Sequence, residues 1–67
     1  MSPLTDKQRR VFALAVRYHA IAEEPCSTSW LARRLHRHRA TIRGHALAIV
    51  KKGWASRNTP AFRGLHL

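Results

Sequence analysis

Apolar residues recur at steps of three and four in three separate stretches of this chain, and that spacing commits most of it to amphipathic helices. In the first stretch Val11, Ala15, Tyr18 and Ala22 form one stripe, with Leu14 and Ile21 on one flank and Phe12, Val16 and His19 on the other. It opens with "LTDKQ", where Thr5 can act as N-cap, Gln8 can return the hydrogen bond, and Asp6 adds a favourable charge in the first turn. The spacing predicts a helix over Asp6–Ala22. Pro25 then disfavours helical backbone at Glu24, and the serines and threonine of "CSTS" offer the next cap. A second helix is expected over Thr28–Leu35, with Leu31, Ala32 and Leu35 inward and Arg33 and Arg34 outward. After a turn at His36 and Arg37, a third is expected over Arg39–Lys52, burying Ile42, Ala46, Ile49 and Val50 and stopped by Gly53.

The end of the chain, "WASRNTPAFRGLHL", has another character. Asn58, Thr59 and Pro60 separate two runs of β-compatible residues, which predicts a two-stranded hairpin, with Trp54 packed against the third helix. The expected fold class is therefore α+β, mainly α: a winged helix-turn-helix of three helices and a C-terminal β-hairpin wing. With 67 residues, one domain over 1–67 is all that fits.

Charge is divided unevenly. The chain has 13 Lys and Arg against 3 Asp and Glu, a formal net charge of +10. Residues 1–25 hold four of the bases and all three acids, a net of +1, whereas residues 26–67 hold nine bases and no acid. A polyanion is the partner that such a second half suits, and double-stranded DNA is the expected one. Affinity for it comes from cations near phosphates, and sequence is read by side chains at base edges. On the third helix the face opposite Ile42, Ala46 and Ile49 presents Arg39, Ala40, Arg43 and Gly44, the candidates for base reading, since a guanidinium can donate twice to guanine. His38 and Thr41, at the helix start, are candidates for a phosphate. Arg33, Arg34 and Lys51 are expected beside the DNA backbone, with Arg57 and Arg63 reaching it from the hairpin.

"LARRLHRHRATIRGHALAIVKKGW" resembles the winged-helix pattern of a leucine-alanine helix, a tight turn, an "RAT" helix start and a terminal "KKG". With "LTDKQRRVFALAVRYH", "PCSTSWLARRL" and "KKGWASRNTPAFRGLHL" around it, almost the whole chain is similar to the N-terminal DNA-binding domain of the LexA family. The resemblance implies transcriptional repression, with the third helix in the major groove. That family continues into a self-cleaving serine-lysine protease domain that also holds its dimer together, and nothing in this sequence can carry that activity. His36 stands where a glycine is usual, Arg37 where an apolar residue is usual, and Gly44 interrupts the third helix.

The remaining features exclude more than they assign. Cys26 is the single cysteine, which rules out an intrachain disulfide and a cysteine-based zinc site and suits a reducing cytosol. His36, His38 and His45 have no carboxylate or second cysteine nearby, so no metal or other cofactor is expected. No acid is placed to orient a general-base histidine, and no enzymatic activity is expected. The longest apolar run, Val11–Val16, is far short of the roughly 20 residues that span a bilayer. No membrane partner is expected, and the expected setting is the cytoplasm and nucleoid of a bacterium, or a phage or mobile element within one. Trp30 shares the outward face of Arg33 and Arg34, as a partner anchor or as a cover over their stems. The wide apolar arc of the first helix leaves room for a homodimer, in solution or only on DNA. Two alternatives stay open: a protein-interaction adaptor on the same fold, and a nonspecific nucleic-acid binder.

Overall fold

A computed structural model describes residues 2–67. Its elements are α1 (Asp6–Ala22), α2 (Thr28–Leu35), α3 (Arg39–Lys51) and a closing 3-10 helix (Pro60–Leu65). Three of these follow the spacing of the apolar residues, the end of α3 falling one residue earlier than expected. No strand occurs among the described residues, so the α+β winged class is replaced by an all-helical one.

The start of α1 is set locally. Gln8 N–H donates to Thr5 Oγ1 at 3.2 Å, and Thr5 N–H donates to Gln8 Oε1 at 3.1 Å, closing the capping box. Thr5→Ala is expected to lower stability by about 1 kcal/mol through the lost cap, without altering any ligand preference. An unchanged melting curve would contradict that role. At its other end α1 stops at Glu23 in the left-handed region, φ 58°. Ser27 caps α2, its Oγ accepting from Trp30 N–H at 3.0 Å.

The turn between α2 and α3 depends on His36, which sits in the left-handed region at φ 55°, ψ 48°. Histidine bears that conformation better than β-branched or bulky residues, although glycine bears it more easily. The Arg37 N–H returns to the Ala32 carbonyl at 2.9 Å, fixing the exit from α2. His38 then begins α3 with no side-chain cap hydrogen bond.

The core lies where the three helices and the 3-10 helix meet: Val11 and Ala15 from α1, Leu31 and Ala32 from α2, Ile42, Ala46 and Ile49 from α3, and Ala61, Phe62 and Leu65 from the end, with Cys26 between. Its largest side chain, Phe62, is 1% exposed. Burial raises the Cys26 thiol above its ordinary range, which keeps it neutral in the folded chain. The stability tied to that neutral thiol is full below the ordinary thiol range and is lost as pH rises through the raised value.

The expected hairpin fails for a reason visible in the residues. As a strand, 61–66 would alternate, sending Phe62 and Leu65 to opposite faces. Both are buried on one side, as the three-residue repeat of a 3-10 helix requires. Pro60 presets the first turn, and Ser56–Thr59 closes before it: Ser56 N–H donates to Thr59 Oγ1 at 2.8 Å, and Asn58 N–H to Ser56 Oγ at 3.2 Å. Trp54, expected on α3, donates its backbone N–H to the Ile49 carbonyl of that helix at 3.1 Å. Its ring meets the Phe12 edge of α1 at 6.4 Å, and its Nε1–H donates to the Ser2 carbonyl at 2.6 Å. Lys52 Nζ donates to the Pro3 carbonyl at 3.0 Å and to Gln8 Oε1 at 2.6 Å, so the end of α3 grips the start of the chain.

Candidate nucleic-acid interface

α3 is amphipathic in the sense that matters for a ligand. Ile42, Ala46 and Ile49 are fully buried, while Arg39, Ala40, Thr41, Arg43, Gly44 and Leu47 are exposed. A Cβ built on Gly44 would meet nothing within 4 Å, so the protein itself does not require glycine there. Gly44→Ala is expected to raise stability by up to about 1 kcal/mol through helix propensity. Affinity for any ligand that approaches this backbone closely should fall in the same variant, and calorimetry with a binding titration reads both.

Two open depressions flank this surface. The first is lined by Lys7 of α1, Ser29 and Arg33 of α2, His36, Arg37 and His38 of the turn, and Arg39, Thr41 and His45 of α3. It gathers cations from three elements around the uncapped start of α3, whose first amide N–H groups are an anion-favouring terminus. The second is lined by Ser27, Thr28 and Ser29 at the start of α2, Arg39, Ala40 and Arg43 of α3, and Gly64, Leu65 and His66 at the chain's end. Arg39 and Ser29 border both, so the two depressions meet across the first turns of α2 and α3. No aspartate or glutamate follows Glu24 in the chain, and neither depression contains one.

Of the residues expected at a DNA surface, Arg33, His38, Arg39 and Thr41 come together in the first depression and Arg39, Ala40 and Arg43 in the second. Gly44 is exposed on the same helix. Arg34 and Lys51 are exposed but border neither depression. Arg57 and Arg63 lose the hairpin that was to carry them: Arg57 lies in the turn before the 3-10 helix, and Arg63 Nε–H donates to the Asn58 carbonyl at 3.3 Å. Trp30 is half-buried, its ring 4.7 Å from that of Tyr18. The Tyr18 hydroxyl donates to Glu24 Oε1 at 3.1 Å, and that bond, with desolvation, raises the phenol above its ordinary value.

The sequence reading missed Lys7, Arg37, the N-cap Ser27 and Ser29 of α2. Arg37 had a local signal, since it lies in the exposed turn between two basic segments. Lys7 had none, because it reaches the depression through the packing of α1 on α3. Among the described residues no cluster of three metal-ligating side chains occurs, and no helix is long and apolar enough to cross a membrane. Comparison with protein-family models, with curated proteins and with solved structures finds no match.

Proposed function

We propose that this chain is a sequence-specific double-stranded DNA-binding regulator, a repressor that acts by occupying its site, with α3 lying in the major groove. One observation carries the reading: three elements converge their cations around the start of an exposed helix, and no carboxylate is present to neutralise them. An α-helix fits the major groove in width, and phosphates on either side of it would meet the flanking depressions. The likeness of residues 31–54 to the LexA pattern supports the same docking. In this reading Lys7, Arg33, Arg37 and the α3 N-terminus hold the backbone, Arg34 and Lys51 sit further along it, and Arg39 and Arg43 reach base edges. Ala40 and Gly44 keep the surface between them low enough to enter the groove.

Selection of bound duplexes from a random pool tests this directly: a defined consensus is expected, and none would emerge from a nonspecific binder. Arg43→Ala should reduce discrimination between the selected site and a point mismatch by about 1–3 kcal/mol, as loss of a bidentate guanine contact does. Equal weakening on all duplexes would assign Arg43 to the backbone instead. A protein adaptor, the other reading of such a fold, would show no selected duplex at all.

A further inference from the structure

We infer that a second copy of this chain docks on the outer face of α1. Arg9, Ala13, Val16, Ala20 and the C-cap residue Glu23 follow one another at steps of four, three, four and three. At about 100° per residue the first four fall within roughly 40° of one line along the helix, and Glu23 follows at its cap. All five are exposed, on the side away from the buried Val11 and Ala15. From Val16 the line runs through an alanine on either side, three residues before and four after, to opposite charges seven residues away in each direction. A second α1 laid antiparallel across it therefore sets Glu23 of each copy beside Arg9 of the other. That is the self-complementary surface an isologous pair requires. Alanine and valine between the charges let the helix axes approach closely, at about 8 Å.

Net charge selects the occupant. Residues 26–67 carry nine bases and no acid, so other faces of one copy repel another copy, while the first 25 residues are near neutral and hold every carboxylate side chain. Ion pairs at such a rim fix orientation and partner more than they add affinity, so the pair is expected to be weak. Its geometry has a consequence for the proposed DNA reading. α1 and α3 pack on each other through their buried faces, so joining outer α1 faces turns the two α3 surfaces away from each other. Such a pair would hold two duplexes, where one palindrome would need both surfaces on the same side. This last step rests on the DNA reading; the association itself does not.

Sedimentation equilibrium of the full chain tests it. The weight-average mass should climb from monomer toward twice that value as concentration approaches the millimolar range. R9E and E23R should each lower the association constant at least about tenfold, and R9E/E23R should restore it, because the swap recreates both pairs. Ile21, 84% exposed and about 140° round the helix from Val16, provides the control: I21S should leave association unchanged. A monomer mass at every concentration, a double variant as weak as the singles, or loss of association in I21S would overturn the proposal. All four variants alter exposed positions, and their melting curves report whether each is folded. With a bead-tethered duplex and a labelled free one, wild type and R9E/E23R should join the two, and the single variants should not. A chain that associates but binds neither duplex would remove the DNA reading and leave this one standing.

Discussion

Phe62→Ala is expected to lower the unfolding free energy by about 3–5 kcal/mol, the cost of emptying a fully buried aromatic site. A chain of this length has about 3–10 kcal/mol of total stability, so the variant loses about a third or more of it and unfolds at 25 °C if the parent lies at the low end of that range. Far-UV circular dichroism with a urea titration reads the loss. The Phe62 ring lies tilted at 6.0 Å from that of Phe12 of α1, which in turn meets Trp54, so the cavity opens at one end of an aromatic row. The segment that delivers Phe62 is tightly seated: a Cβ on Gly64 would lie inside van der Waals contact of the Cys26 carbonyl oxygen and 3.2 Å from Pro25 Cβ. The Cys26 backbone has little room to yield, and Gly64→Ala should therefore also destabilise. A loss below about 1 kcal/mol for Phe62→Ala would mean that the 3-10 helix does not close the core.

Raising salt from about 50 to 200 mM should weaken duplex binding by about 40-fold if Lys7, Arg33 and Arg37 are the phosphate contacts, and by about 500-fold if Arg34 and Lys51 join them. Each neutralised phosphate contributes a slope of about −0.9 in log affinity against log salt, so the two cases correspond to about −2.7 and −4.5. The difference decides how far the contact extends beyond the first depression. Replacing Lys7 by alanine should make the slope shallower by about one contact, which tests the one cation supplied by α1. A flat salt dependence would be incompatible with a phosphate-bound surface and would favour the adaptor reading.

How much of this was legible along the chain follows from the range of each interaction. Thr5 and Gln8 are three residues apart, and their reciprocal hydrogen bonds could be read directly from "LTDKQ". The three helices carry apolar spacing that is itself local. The closing segment is different, because its conformation follows from where Phe62 and Leu65 must go, and that is set by α1 and α3. β-compatible composition was a poor guide against a three-residue burial repeat. The contacts of Trp54 with Phe12 and Ser2 gave no local signal for the same reason, since both lie more than forty residues earlier. At the candidate interface, the exposed side of α3 could be inferred from its own sequence, as could Arg33, His38 and Thr41 near the turn. The contribution of Lys7 and of the residues after Gly64 to the depressions depends on tertiary packing.

Gln8 Oε1 accepts from two donors at once, the N–H of Thr5 and the ammonium of Lys52. A single amide oxygen thus belongs both to the first turn of α1 and to the final turn of α3. Fraying of the first turn of α1 withdraws that acceptor from Lys52, whereas departure of Lys52 leaves the Thr5 bond in place. Opening at the head of the chain is thereby felt at Lys52, the residue that closes the helix carrying Arg39 and Arg43.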